Sequence, residues 1–468
     1  MSQEFRIEKD SLGELKVPAG AYYGVQTQRG VENWKISGLK EPEVFIRSYL
    51  YIKRAAAKIN GELGLLRSDQ AEAIQAAADL VLKEGKHLDQ FVIDVYQAGA
   101  GTSFNMNVNE VLANLAAEIK GKARGDYSFV HPNDHVNAAQ STNDSFPTAI
   151  RISVLKEHQS LIKILDSVIA TFKEKAIEFD SILSTARTHL QDAVPIRLGQ
   201  EFGAFAEMLS KEKARLEFAA EELHYLNIGG TAAGTGMNSH PDYAKKMAHE
   251  LAKLTGLALK PGKNLIELSQ SLGDCCFYGA ALRNLAIALT KVANDLRLLS
   301  SGPTTGLAEI QLPPVQPGSS IMPGKVNPVV MEMLNQVCFD VIGRDTTVAY
   351  SAQAGQLQLN VMMPVVGYHL VSGIQVLTNA LKVSNEKCFK GIRANEDRCA
   401  EYFGVSMGLA TALNTVVGYE NAAKVVKRAV QEKKRIPDLA VEMGYLTEAE
   451  AKEVFSRRLT EPGFLEKK

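Results

Sequence analysis

From Thr148 onward, apolar residues recur at three- and four-residue steps over long stretches with few helix breakers. Ile152, Leu155, Leu161, Leu165, Val168, Ile169 and Phe172 form one such stripe, which predicts a helix. The same spacing runs over Pro195–Leu226 and Leu265–Leu299, from Pro328 to about Tyr350, and from Met363 to about Leu381. Five such runs, several longer than an ordinary globular helix, predict an extended helix bundle. Many stripes are apolar on more than one face, so the predicted helices are buried on several sides, in part by other subunits.

The two ends differ from this middle. Before about residue 140 the pattern is mixed, with turn chemistry at Pro18-Ala19-Gly20 and helical stretches at Val44–Leu65 and Ser68–Glu84. After about Asn395 the runs shorten to Met407–Val416, Ala422–Gln431, Ile436–Met443 and Thr447–Phe455, with a break at Gly418-Tyr419. The expectation is a mainly all-α chain of three domains: an N-terminal domain over 1–140, a central long-helix bundle over 141–395 and a small helical domain over 396–468.

The 468 residues carry 52 Lys+Arg against 53 Asp+Glu, a net charge of −1 that argues against a nucleic-acid or membrane-surface partner. No apolar stretch reaches the ~18 residues of a membrane span, and the polar start MSQEFRIEKDSLGELKVPAG lacks a secretory apolar core. Cys275, Cys276, Cys338, Cys388 and Cys399 are odd in number and lack zinc spacing. They read as reduced thiols, so the expected location is cytoplasmic.

With breakers scarce, four clusters of small and polar residues are informative. Gln97–Asn107, QAGAGTSFNMN, is glycine-rich and then hydroxyl- and amide-rich. It fits neither nucleotide-loop spacing, while amides and short hydroxyls suit carboxylates; a structural turn is the alternative. His131–Asn137 followed by Gln140–Asp144 carries a polar load that is costly against a core unless paired or bound. It reads as a ligand site, as an Asx-rich helix start with Asn143 or Asp144 capping a run from near Pro147, or as both. In Arg187–Asp192, polar neighbours surround His189 in what reads as a loop before a helix starting near Pro195. Pro317–Pro328 brackets Ser319, Ser320, Lys325 and Asn327 with prolines and glycines, immediately before a long helix, and reads as a lid, with an exposed interhelical connection as the alternative.

The last cluster, GSSIMPGKVNP at 318–328, resembles the signature loop of the aspartase/fumarase superfamily. The resemblance runs from LGE at 12–14 and AYYGVQT at 21–27 to GYLTEAE at 444–450. Within the superfamily, GTSFNMNVNEV, QSTND at 140–144, NPVVMEMLNQVCFDVIG at 327–343 and AGQLQLNV at 354–361 resemble the aspartase branch more than the fumarase branch. The chain departs from the aspartase pattern at Thr304, Gln353 and Met363.

The resemblance implies an aspartase/fumarase-type fold and reversible elimination of ammonia from L-aspartate to give fumarate. The alternative within the superfamily is class II fumarate hydratase, with water leaving from malate; a remote one is a non-catalytic helical scaffold. Carried over by motif, Ser319 is the general base, set up by loop amides and Lys325. Lys325 and Asn327 hold one substrate carboxylate, and Ser320, Thr102, Ser141 and Thr142 hold the other and stabilise the aci-carboxylate. Asn143 and Thr188 meet the amino-group side, and His189, partnered by Glu332, orients substrate or assists the leaving group. The resemblance also implies a homotetramer whose sites each draw on three chains and bind a small dicarboxylate. No cofactor and no metal are expected.

Overall fold

The computed structural model describes residues 4–462. It is mainly helical, and the described residues form four two-stranded sheets. The five periodic runs are its long helices: Thr142–Glu178, Leu198–Glu222, Gly273–Leu299, Val329–Gln353 and Met363–Lys387. The chain packs as two compact units, one of residues up to 162, 214–286 and 339–378, the other of 163–213, 287–338 and from 379 onward. Each long helix contributes residues to both.

In the first unit, helices Glu43–Glu62, Ser68–Glu84 and Thr102–Ile119 bury their apolar faces, with Phe45, Tyr49, Phe104 and Phe146 in mutual ring contact. The N-terminal hairpin Phe5–Asp10/Gly13–Pro18 precedes helix Val25–Asn33. That helix has no side-chain cap of its own; the buried Glu110 carboxylate accepts the amides of Gly24, Gln26 and Thr27 instead. In the second unit, Phe172 meets Phe202, Phe205 and Phe389, and the short terminal helices close over Leu409, Leu413, Val425, Ile436 and Leu439.

Three local expectations are corrected. The stretch before Pro195 is a β-hairpin, Leu183–Thr188 with Gln191–Arg197, and the helix begins at Leu198; Pro195 pairs opposite Thr185 beside a bulge, where a missing N–H is tolerated. Leu265–Leu299 is two helices, because Ser271 is extended and its hydroxyl accepts the Gly273 amide at the start of the second. The helix placed near Pro147 begins at Thr142, five residues earlier, and encloses the proline.

Candidate active site

In the first unit the candidates sit at two helix starts. Thr102 is the first residue of its helix and is exposed. Before it, Ala100 and Gly101 both take positive φ, 60° and 82°. A β-carbon on Gly101 would stand 2.1 Å from the Phe146 ring, so glycine there lets the Thr102 turn close onto the first turns of helix Thr142–Glu178.

Ser141 caps that second helix. Its Oγ accepts the Asn143 amide at 3.2 Å, and Asp144 Oδ1 accepts the Ser141 amide at 3.0 Å, so the first turn is capped from both sides. Asp144 therefore caps from inside the helix. Its other oxygen accepts the amides of Gly229 and Thr231 at 3.0 and 2.9 Å. Pro147 cannot bond the Asn143 carbonyl four residues back, and Asn227 Nδ2 donates to it at 3.2 Å. Asn143 Nδ2 donates to the Ala232 carbonyl at 2.8 Å. Thr142 is buried, whereas Ser141 and Asn143 are partly exposed.

Beneath this turn lies Lys53, which has no exposed surface. Its ammonium donates to the side-chain oxygens of Asn105 at 2.8 Å and of Asn137 and Gln140 at 3.0 Å. Burial lowers the Lys53 pKa against the charge of Asp144, and burial raises that of Asp144 against its three amide donors and Lys53. The lysine thus ties the Thr102 helix to the segment that ends in Ser141.

In the second unit, Thr188 and His189 are exposed at the tip of the 183–197 hairpin. His189 and Leu190 form its two-residue loop, both at positive φ, 56° and 58°, as a type I′ connection demands. Side chains other than glycine, asparagine and aspartate rarely accept this.

The Pro317–Pro328 loop folds back on itself. Asn327 Nδ2 donates to the Gly318 carbonyl, and the Lys325 amide donates to the Met322 carbonyl at 3.3 Å. Ser319 is partly exposed, and its Oγ accepts the amides of Met322 at 3.0 Å and Ile321 at 3.3 Å. Ser320 and Lys325 are exposed, and Glu332 lies in the first turn of the next helix. Among the described residues His189 and Glu332 form no hydrogen bond or ion pair with each other, nor does the hairpin tip with the loop. The helix starts at Thr102 and Thr142 are linked through Gly101 against Phe146 and through Lys53 on Asn105 and Gln140, and Ser319, Ser320, Lys325 and Asn327 share one loop. No group of three or more His, Cys, Asp or Glu among the described residues is arranged to hold a metal ion. No described helix is long and apolar enough to cross a membrane.

A lyase family model matches residues 13–343, and a fumarase C C-terminus model matches 409–459. The chain belongs to the aspartase/fumarase superfamily. Aspartate ammonia-lyase of Escherichia coli (strain K12) is 48% identical over 474 residues, covering 100% of this chain and 98% of that protein. The crystal structure of fumarate lyase:delta crystallin from Brucella melitensis bound to cobalt superposes with a TM-score of 0.94 at 46% identity, over 98% of this chain and 100% of that one. Class II fumarase from Schistosoma mansoni gives a TM-score of 0.92 at 34% identity, again over 98% and 100%.

Two features of this superfamily member escaped the sequence reading. Lys53 was unassigned, although it shares a helix face with Tyr49, Ile52, Ala56 and Asn60, and a lone charge on an otherwise apolar face is a readable signal. The Asx-rich pattern offers Asn143 or Asp144 as a cap or a ligand group, but the grip of Asp144 on Gly229 and Thr231 depends on residues more than eighty positions away.

Proposed function

We propose that the chain is a carbon–nitrogen lyase that converts L-aspartate reversibly to fumarate and ammonia, with Ser319 as general base. The observation that carries this reading is the Ser319 hydroxyl accepting two loop amides. A neutral serine is a poor base; two amides aimed at its oxygen stabilise the alkoxide and leave a lone pair for the incoming proton. That proton comes from the carbon beside one carboxylate of aspartate. The electron pair it leaves spreads onto that carboxylate, giving an aci-carboxylate, and then forms the double bond of fumarate as the amine departs from the neighbouring carbon.

Lys325 and Asn327 hold one carboxylate. Ser320, Thr102, Ser141 and Thr142 hold the other and stabilise the developing charge, a role typically worth about 3 to 4 kcal/mol per well-aimed donor. Asn143 and Thr188 meet the amino-group side, and His189, with Glu332, orients substrate or assists departure of the amine. Helix starts at Thr102 and Thr142 add backbone dipoles suited to carboxylates. The 48% identity to an aspartate ammonia-lyase, against 34% to a class II fumarase, supports aspartate over malate.

The working form in this reading is a cytoplasmic homotetramer of three-domain chains, each site drawing on three chains. Exposed Phe218, Phe277, Phe339 and Tyr350 on the long helices support further burial between copies. Absorbance at the fumarate band, followed from L-aspartate and separately from L-malate, tests the substrate. Fumarate from aspartate that disappears in Ser319→Ala, with the oligomer intact, is the expected result. Formation from malate alone would make the chain a hydratase, and activity retained in Ser319→Ala would overturn the base.

A further inference from the structure

We propose that Glu309 is a positioning residue for the reaction, holding in place the hairpin that presents Thr188 and His189. This rests on the lyase reading above, which puts those two residues against the substrate. Glu309 is 1% exposed, and its carboxylate is filled from the hairpin side. Arg187, next to Thr188, donates through Nη1 to Oε2 at 2.7 Å and through Nη2 to Oε1 at 3.3 Å, and Ser184 Oγ donates to Oε1 at 2.7 Å. A two-pronged guanidinium–carboxylate pair fixes angle as well as distance.

The post itself is anchored from several sides. The Glu309 amide donates to the Leu299 carbonyl, and its own carbonyl accepts the Asn395 amide, both at 2.9 Å. The following Ile310-Gln311 pairs as a strand with Arg393-Ala394. The Arg187 guanidinium also lies over the Tyr402 ring, 5.3 Å from its centroid. Beside the pair lies a cavity of about 200 Å³, lined by Thr185, Arg187, Ile196 and Glu309, while the return strand is held by Arg197, which donates to Asp180 and Thr460. Its pairing is interrupted by a bulge between Thr185 and Arg187, and its tip is held at positive φ in two residues. A strained tip on an interrupted ladder needs a rigid point near the tip, and the Arg187–Glu309 pair supplies it one residue from Thr188.

The test is a mutant cycle on the full-length enzyme. Glu309→Gln is expected to lower kcat/KM for L-aspartate by roughly 10- to 100-fold in the otherwise native chain. With Thr188→Ala and His189→Ala already in place, it should cost no more than about threefold, because a clamp has nothing left to position. Equal losses in both backgrounds would overturn the proposal. If Glu309→Gln does not fold, Arg187→Lys keeps the charge, loses the fork and must show the same non-additive pattern. Amide hydrogen exchange on these variants needs no substrate: exchange at 188–191 should rise while helix Leu198–Glu222 stays protected. Unchanged exchange at 188–191 would overturn the clamp whatever the activity. A wild-type chain inactive on aspartate but showing the exchange change would overturn the substrate reading and uphold the clamp.

Discussion

Gly318 packs against the carbonyl of Lys325 so closely that a β-carbon would stand 2.1 Å from the oxygen. The same carbon would meet the Asn327 amide nitrogen at 2.6 Å, so the contact closes the ring of backbone that holds Ser319. Gly318→Ala should force this ring open and turn the Ser319 oxygen off its two amides. A displacement of about 1 Å at a reacting group costs roughly 100-fold in rate, and a loss of at least that size in kcat is expected. The loop is largely exposed, so the thermal midpoint should barely move. Steady-state kinetics beside a melting curve check both; near-native kcat would show that the ring does not set the serine.

Lys53 makes the opposite case, a buried charge whose loss should be felt in stability and activity together. Lys53→Met removes the donor shared by Asn105, Asn137 and Gln140 and leaves Asp144 without its nearby positive charge. Tyr49 still donates to Asn105, and Asn105 and Asn109 to Asn137, so the losses are the lysine's bond to Gln140 and the cation near the Asp144 carboxylate, together roughly 1–3 kcal/mol. The melting midpoint should fall by a few degrees, and KM for L-aspartate should rise, because Gln140, the residue before Ser141, keeps only its bonds to the Val136 and Ala138 carbonyls. An unchanged KM in folded Lys53→Met would separate this network from the substrate.

The contrast between these sites marks what was legible in the residues. Ser319, Ser320, Lys325 and Asn327 fall within nine positions, so their chemistry is visible as one string. The long helices were equally visible, since a three- and four-residue stripe persists over many turns. Lys53 and Glu309 act through partners dozens to more than a hundred positions away, which no local pattern records. The hairpin at 183–197 was hidden because Pro195 is a common first-turn helix residue and the helix at Leu198 follows at once. The helix start at Thr142 was hidden because Pro147 drew the boundary to itself, while Asn227 satisfies the carbonyl that the proline frees.

Glu41 gives a pH prediction. Its carboxyl is 4% exposed, and neither oxygen has a hydrogen-bond partner among the described residues. Burial pushes its pKa from the ordinary 4.5 up to about 8. The fold therefore holds it protonated where the unfolded chain has released the proton. Its effect on stability is absent below about pH 4.5, grows as a penalty while pH rises to about 8, and levels off above. The penalty amounts to at most ~5 kcal/mol. Glu41→Gln should raise the melting midpoint at pH 8 and leave it nearly unchanged at pH 4.5. Equal shifts at both values would assign the effect to packing instead of ionisation.

Leu190 offers a test of strain at the hairpin tip. Its side chain is 71% exposed, and its φ is 58°, so little packing offsets the cost of a β-carbon in the left-handed region. That cost is roughly 1–2 kcal/mol, while glycine gives back part of the gain through greater freedom in the unfolded chain. Leu190→Gly should therefore stabilise the hairpin by about 0.5–1 kcal/mol, read as slower amide exchange at Thr188 and Gln191. Leu190→Ala keeps the β-carbon and should give no such gain. If alanine stabilises as much as glycine, the exposed apolar side chain and not the backbone angle is the source of the cost.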